Sequence, residues 1–143
     1  MKTTYTAVVR TVGGRTGHVK SSDGVLDLEI RLPREMGGPG GAYTNPEQLF
    51  AAGYSACFGS ALHHVALLRR IRIEPDVTAR VSMFRKNENE GFQLAVELEI
   101  RLPGMDRQQA EELAEAAHQL CPYSNAIRNN VEVTRKVITE EKA

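Results

Sequence analysis

Residues Asn45–Leu68 read NPEQLFAAGYSACFGSALHHVALL and predict one long, apolar helix. Asn45 is a favoured N-cap residue, Pro46 suits the first turn of a helix, and Gln48 occupies the capping-box position. From Gln48 to Leu68 there is no Asp, Glu, Lys or Arg. A helix that is apolar on all sides and rich in Gly, Ala and Ser predicts a position in the middle of the fold, where other backbones or a partner helix approach closely.

The residues before this helix predict a small antiparallel sheet. Tyr5–Val12 alternates as a strand, Asp23-Gly24 is a tight-turn signal, and Leu26–Leu32 alternates apolar and charged residues, which predicts one buried face. The expected arrangement is a three-stranded meander with Arg15 at the start of its middle strand. The Gly- and Pro-rich segment Pro33–Thr44 is predicted to be a loop without regular structure.

The residues after the helix predict a second sheet and a second helix. Alternating runs over residues 77–83 and 92–102 form two strands, which the loop Asn87–Gly91 joins as a hairpin. Asp106 is the N-cap of an amphipathic helix that ends at Cys121, and Val131–Ile138 is the last strand. The order β-β-β-α-β-β-α-β predicts one α+β domain over residues 1–143, with mostly antiparallel pairing.

Composition excludes several classes of partner. The 143 residues include 18 Lys plus Arg and 18 Asp plus Glu, so no overall field favours nucleic acid or an anionic membrane. No signal-peptide pattern opens the sequence, and the two cysteines are far apart. We therefore expect a cytoplasmic protein with reduced thiols that binds neither nucleic acid nor membrane.

The two cysteines, Cys57 in the apolar helix and Cys121 at the end of the second helix, allow two interpretations. Both are inert core residues, or they are a reactive thiolate and a resolving thiol. In the second case a peroxide oxidises one thiol to a sulfenic acid, and the other condenses with it to a disulfide. The carbonyl end of a helix disfavours a thiolate, so we expect Cys57 to ionise at lower pH than Cys121.

A thiol peroxidase also needs a cation beside its sulfur, and Arg15 is a candidate. Glu47 is suited to hold the guanidinium through two hydrogen bonds. Glu47 lies ten residues before Cys57, roughly 15 Å along the helix, so only a bridging arginine connects the two. The alternative interpretation, which spacing alone leaves open, is a solvated strand charge and a first-turn carboxylate.

The motifs Thr44–Phe58 (TNPEQLFAAGYSACF) and Cys121–Ala126 (CPYSNA) resemble those of the organic hydroperoxide resistance proteins in the OsmC-like superfamily. The resemblance covers essentially the whole chain. It implies the OsmC-like fold as an intertwined homodimer, and a thiol peroxidase without metal, haem or flavin. The expected substrates are bulky organic and fatty-acid hydroperoxides, and the expected reductant is a lipoylated protein that supplies a dithiol.

The resemblance also implies a role for each candidate residue. Cys57 matches the peroxidatic cysteine and Cys121 the resolving cysteine. Arg15 matches the arginine that activates the thiolate, and Glu47 the carboxylate that orients it. No metal ligands are expected, because the adjacent His63 and His64 point about 100° apart on a helix and cannot chelate one ion.

Aromatic and apolar residues near the thiol predict a greasy substrate pocket, although plain core packing explains them equally well. The candidates are Phe50, Tyr54 and Phe58 on the helix, and Met36 and Tyr43 on the preceding loop. Two alternative functions remain open. One is a general OsmC-type peroxidase that also uses hydrogen peroxide, and the other is a non-enzymatic redox sensor or lipid-binding module.

Overall fold

The computed structural model describes residues 2–141 and divides the chain into two compact units, one ending at Leu49 and the other beginning at Phe50. The expectation of a single domain stays a prediction. The first unit contains a three-stranded antiparallel sheet in the order β1-β2-β3, which confirms the predicted meander. Its strands are β1 (Val9–Val12), β2 (His18–Ser21) and β3 (Asp27–Glu29).

Three details of the first sheet and its turns differ from the prediction. The strand expected over Tyr5–Val12 shortens to β1, which begins at Val9. Arg15 does not begin the middle strand: it lies in a 3₁₀ turn, Gly14–Thr16, because Gly13 and Gly14 adopt positive φ angles and reverse the chain before β2. The strand expected over Leu26–Leu32 shortens to β3, and Leu28 remains 41% exposed, although Val19 and Ile30 on the same face of the sheet are buried.

The segment Pro33–Thr44 also contains more structure than predicted. Arg34–Met36 forms a second 3₁₀ turn, which ends at Gly37 with a positive φ angle. Ile30 is buried and forms a parallel bridge with Thr44, so backbone hydrogen bonds tie the end of the loop to the sheet.

Helix α1 (Pro46–Leu68) continues from the first unit into the second. Its predicted start is confirmed, because Asn45 Oδ1 accepts the backbone N–H of Gln48 at 2.8 Å. The prediction that other backbones or a partner helix approach it on every side stays a prediction for the face that this chain leaves exposed. One face, which includes Tyr54, Phe58 and Leu62, is fully buried, whereas Ala52, Ala56, Ser60, His63 and Leu67 are exposed.

The second unit packs helices against a three-stranded sheet in the order β4-β5-β6. Its strands are β4 (Asp76–Phe84), β5 (Gln93–Arg101) and β6 (Glu132–Ile138). The β4–β5 hairpin is antiparallel as predicted, and β6 pairs with β5 in parallel. Three of the four strand pairs are thus antiparallel, and the predicted α+β order is confirmed.

The core of the second unit forms where α1 and α2 (Arg107–Leu120) bury their apolar stripes with the alternate residues of β5. Leu62, Leu98, Ile100 and Leu113 are fully buried, and each contributes about 1.5–3 kcal/mol through burial. The Asp106 cap of α2 is confirmed by its bond to the N–H of Gln109. No helix within residues 2–141 has the length and apolar character that crossing a membrane requires.

Candidate active site

Cys57 and Cys121 lie side by side as free thiols, with their sulfur atoms 3.6 Å apart. Cys57 is half-buried in the middle of α1, and Cys121 is fully buried at the end of α2. A disulfide has an S–S bond of about 2.05 Å, so the sulfurs need to approach by only about 1.5 Å to form one. The structure therefore brings together the two thiols that the sequence separates by 64 positions.

The backbone on both sides of Cys121 is fixed by hydrogen bonds. Its N–H donates to the Ala117 carbonyl at 2.8 Å, and its own carbonyl accepts the N–H of Asn125 at 2.9 Å. Pro122 begins α3 (Pro122–Ile127), since proline suits the first turn of a helix and cannot extend the preceding one. Cys121, whose own backbone is extended, consequently lies at an anchored bend between two helices.

The environment of Cys57 within this unit opposes its ionisation. Burial is the main cause that raises the pKa of the Cys57 thiol, and the neighbouring Cys121 raises it further. The backbone N–H of Tyr123 acts in the opposite direction, because it donates a hydrogen bond that favours the thiolate. Overall the pKa of Cys57 is raised, whereas a peroxidatic cysteine is expected to have a lowered pKa, so ionisation of Cys57 needs a further stabilising group.

Arg15 and Glu47 form a bidentate ion pair in the first unit. Arg15 Nη1 lies 2.9 Å from Glu47 Oε2, and Arg15 Nη2 lies 2.7 Å from Glu47 Oε1. Hydrogen bonds from the guanidinium lower the pKa of Glu47 against the opposing effect of burial, and the carboxylate raises the pKa of Arg15. The ion pair thus stabilises both groups in their charged forms and fixes the orientation of the guanidinium plane.

The predicted pocket residues occupy different environments. Phe50 is half-buried and packs edge-to-face against Tyr54, with ring centroids 6.2 Å apart. Tyr54 and Phe58 are fully buried core residues, so contact with a substrate would require them to become accessible. In the first unit, Met36 and Tyr43 are 37% and 43% exposed.

Sequence reasoning missed several residues beside the cysteines. The ring of Tyr123 packs on Phe50 and Tyr54. Ser124 and His118 share a hydrogen bond at 2.9 Å. Tyr123 and Ser124 are part of the Cys-Pro-Tyr-Ser motif, but the sequence does not reveal how the bend at Cys121 orients their side chains.

The described residues contain no group of three or more His, Cys, Asp or Glu side chains placed to hold a metal ion. His63 and His64, both on α1, are exposed. The functional groups brought together here are two thiols in one unit, and a guanidinium with its carboxylate in the other.

Comparison with known proteins gives the family. The model of the OsmC-like protein family matches residues 38–136. The chain belongs to the OsmC-like family. Organic hydroperoxide resistance protein OhrB of Bacillus subtilis is 48% identical to this member over 90% of the present chain and 94% of its own. The organic hydroperoxide resistance protein of Xanthomonas axonopodis pv. citri is 47% identical over 93% and 94% of the two chains.

Solved structures of the OsmC-like family agree with this fold. The crystal structure of an organic hydroperoxide resistance protein from Elizabethkingia anophelis has a TM-score of 0.90 and 51% identity. It covers 97% of the present chain and 99% of its own. The predicted OsmC-like α+β fold is therefore confirmed, and the resemblance read from the two cysteine motifs is confirmed with it.

Proposed function

We propose that this chain is a cysteine-based peroxidase that reduces organic hydroperoxides, including those of fatty acids, to alcohols in defence against oxidative stress. The observation that carries the proposal is the 3.6 Å separation of the Cys57 and Cys121 sulfurs. The names of its relatives, which concern organic hydroperoxide resistance, support the same substrate class.

In the first step the Cys57 thiolate attacks one oxygen of the peroxide. The O–O bond breaks, an alkoxide leaves and takes up a proton to become the alcohol, and Cys57 becomes a sulfenic acid. Arg15 is assigned to stabilise both the thiolate and the alkoxide. Glu47 is assigned to orient Arg15, and its two hydrogen bonds to the guanidinium support that role.

In the second step the Cys121 thiol condenses with the sulfenic acid. A sulfur–sulfur bond forms, the hydroxyl of the sulfenic acid leaves with the thiol proton as water, and no external reductant is consumed. Complete burial of Cys121 supports a resolving role, because a buried thiol is shielded from peroxide in solution.

In the third step a dithiol restores both cysteines. One thiol of the reductant attacks Cys57, which is the less buried of the two sulfurs, and Cys121 leaves as a thiolate that takes up a proton. The second thiol then displaces Cys57 and the reductant becomes a cyclic disulfide. We assign this role to a lipoylated protein, and we place the enzyme in the cytoplasm as a homodimer of single-domain chains.

The proposal includes a preference for bulky substrates. Hydrogen peroxide gains nothing from apolar contacts, whereas an alkyl chain gains about 0.8 kcal/mol for each buried CH₂. The half-buried ring of Phe50, which packs edge-to-face on the Tyr123 ring beside Cys57, supports such contacts. Six buried methylenes correspond to roughly 5 kcal/mol before ordering costs are subtracted.

A steady-state assay tests this function. Wild-type protein receives either a fatty-acid hydroperoxide or hydrogen peroxide, with dihydrolipoamide as the dithiol, and kcat/KM is compared. We expect efficient turnover with the lipid substrate and a much lower value with hydrogen peroxide. Equal values would indicate a general peroxidase, and stoichiometric oxidation without turnover would indicate a sensor.

The two cysteine variants serve as controls for each other. Cys57→Ser is expected to lose all peroxide reduction. Cys121→Ser is expected to reduce one equivalent and then to accumulate sulfinic acid at Cys57. Normal dithiol-supported turnover by Cys121→Ser would reject the resolving role, and single-turnover activity in Cys57→Ser would reject the peroxidatic role.

A further inference from the structure

A buried hydrogen-bond network joins the elements that carry the two cysteines. Ser124 Oγ lies 2.6 Å from the Tyr54 hydroxyl and 2.9 Å from His118 Nδ1. Ser124 and Tyr54 are fully buried, and His118 is half-buried. Tyr54 precedes Cys57 by three residues on α1, while His118 and Ser124 lie three residues before and three residues after Cys121.

This arrangement brackets the bend at Cys121. Because α2 ends and α3 begins there, the His118–Ser124 bond closes across the bend, and Tyr54 ties the closed bend to α1. Arg128 braces the same segment: its Nη2 donates to the His118 carbonyl and its Nη1 donates to Asn125 Oδ1, both at 2.6 Å. Movement of the bend relative to α1 therefore requires breaking the network.

We propose that Tyr54, Ser124 and His118 position the Cys121 thiol for attack on oxidised Cys57, and that protonation of His118 weakens this positioning. The inference rests on the proposed function, in which Cys121 closes the disulfide. The three residues are positioning residues, because they supply no reacting atom.

The chemistry of the three groups explains the sensitivity to protonation. When His118 is neutral with its proton on Nε2, Nδ1 accepts from Ser124, and Ser124 accepts from the Tyr54 hydroxyl, so every buried group is satisfied. Protonated His118 donates from Nδ1 instead. Ser124 Oγ then accepts from His118, and the Ser124 and Tyr54 hydroxyls have two protons but only one acceptor between them. One buried hydroxyl proton is left without an acceptor, which is unfavourable.

The surroundings of His118 favour its neutral form. Burial is the main cause that lowers the pKa of His118, and the charges of Arg135 on β6 and of Arg128 lower it further. Glu115 on α2 opposes them. Tyr54, reached through Ser124, is the remaining titratable group of the network. The transition is expected in acid, below the ordinary histidine pKa of about 6.5.

Disulfide closure can be measured without peroxide. A chromogenic aromatic disulfide reacts with the Cys57 thiolate, which forms a mixed disulfide and releases one coloured aryl thiolate. Cys121 then attacks the Cys57 sulfur, the Cys57–Cys121 disulfide forms, and the second aryl thiolate leaves. The first phase depends on reagent concentration and reports Cys57, and the concentration-independent second phase reports closure. Cys121→Ser is expected to show the first phase only.

Variants of the network should act on the second phase alone. Ser124→Ala, Tyr54→Phe and His118→Ala are expected to slow closure about five- to tenfold, the effect of one buried hydrogen bond, with the first phase unchanged within about twofold. Ser82→Ala, an exposed serine on β4, is the matched control and should match wild type in both phases. Tyr54→Phe removes a single hydroxyl, so it tests the network even if the other variants fold poorly.

His118→Asn separates positioning from simple structural support. Its side-chain amide places a hydrogen-bonding atom near the site of Nδ1 but does not titrate. Closure should therefore stay close to the wild-type rate at neutral pH. As pH falls from about 8 through the acid range in which the protein stays folded, the ratio of the wild-type rate to the His118→Asn rate should fall, because only wild type acquires a protonated imidazole.

The outcomes distinguish this inference from the proposed function. Second-phase rates that are equal in wild type, Tyr54→Phe and Ser124→Ala overturn the network, whatever the peroxidase assay shows. A constant ratio between wild type and His118→Asn across the pH range overturns the role of His118. Slowed closure in the variants of a protein that fails to reduce hydroperoxides supports the network and refutes the peroxidase.

Discussion

Oxidation of the Cys57–Cys121 pair should stabilise the folded protein by about 4 kcal/mol. The two residues are 64 positions apart, and closing a loop of that length removes roughly 14 cal/mol/K of entropy from the unfolded chain. The folded state contributes little strain, because the sulfurs already lie 3.6 Å apart and need to approach by only about 1.5 Å. Any strain at the anchored bend of Cys121 would subtract from this value.

Urea unfolding followed by circular dichroism measures the effect. The oxidised and the reduced protein are compared at equal concentration, so that the proposed dimer formation does not change the comparison. With an m-value of about 2 kcal/mol/M, a gain of 4 kcal/mol raises the midpoint by roughly 2 M. Mass spectrometry confirms that the disulfide is intramolecular. Cys121→Ser treated with the same oxidant controls for oxidation of Cys57 alone and should show no such rise.

A midpoint that stays unchanged or falls on oxidation would refute this reasoning. It would mean that the disulfide forms only after the bend between α2 and α3 has been distorted, so that the reduced structure is not poised for closure. If the urea midpoint rises by well under 1 M although the intramolecular disulfide is intact, strain in the folded state cancels most of the entropic stabilisation.

Three further predictions concern the ion pair and the core. Glu47→Gln should destabilise the protein by about 1 kcal/mol or less near pH 7 in urea unfolding, since the Arg15 side chain is 39% exposed. Because the folded pKa of Glu47 is lowered, the difference should begin to shrink below the unfolded glutamate pKa of about 4.3 and disappear only below the folded pKa. Arg15→Lys keeps the charge but loses the bidentate guanidinium, so it should slow single-turnover oxidation of Cys57 about tenfold, and Arg15→Met should be slower still. Equal oxidation rates in wild type and Arg15→Met would show that Arg15 does not act on Cys57. In thermal or urea unfolding, Leu62→Ala should lower the free energy of unfolding by about 2–5 kcal/mol, whereas Leu68→Ala, at a side chain 72% exposed, should lower it by about 0.5 kcal/mol or less. Similar losses of stability in the two variants would contradict the burial of one face of α1.

Local signals in the sequence predict the elements well. The start of α1 at Asn45 and the cap of α2 at Asp106 depend on side-chain bonds within three residues, which a short stretch of sequence contains completely. The β4–β5 hairpin follows from alternation alone, since its two strands pair without a long connection. These features need no knowledge of the tertiary fold.

Features that depend on distant parts of the chain were predicted less well. The alternation from Leu26 to Leu32 indicates a long strand, but only three residues pair with β2, because a bridge to Thr44 takes over at Ile30. The apolar composition of α1 predicts a position in the middle of the fold but does not indicate which face the chain itself buries, and Ala52 and Leu67 are exposed. Amino-acid composition does not specify which elements pack against a helix.

The environment of the candidate site shows where sequence reasoning reached its limit. Motif similarity identified Cys57, Cys121, Arg15 and Glu47, and the structure brings them together as two pairs. The hydrogen bond between His118 and Ser124 escaped prediction, because a six-residue separation places two side chains together only if the chain bends sharply between them. Pro122 signals a helix end, but it does not specify the direction in which the next helix leaves.

The raised pKa of Cys57 determines how much the proposed arginine must stabilise the thiolate. A thiol with the ordinary pKa of about 8.5 is only about 3% ionised at pH 7, and burial lowers that fraction further. Within the unit that contains Cys57, the hydrogen bond that favours the thiolate comes from the backbone of Tyr123. Lowering the pKa by two units needs about 2.7 kcal/mol, which is within the range of one charge-assisted hydrogen bond from a guanidinium. In the proposed mechanism the half-buried Cys57 thiol stays mostly protonated when the arginine is displaced, so the burial that opposes ionisation would also protect Cys57 from unproductive oxidation.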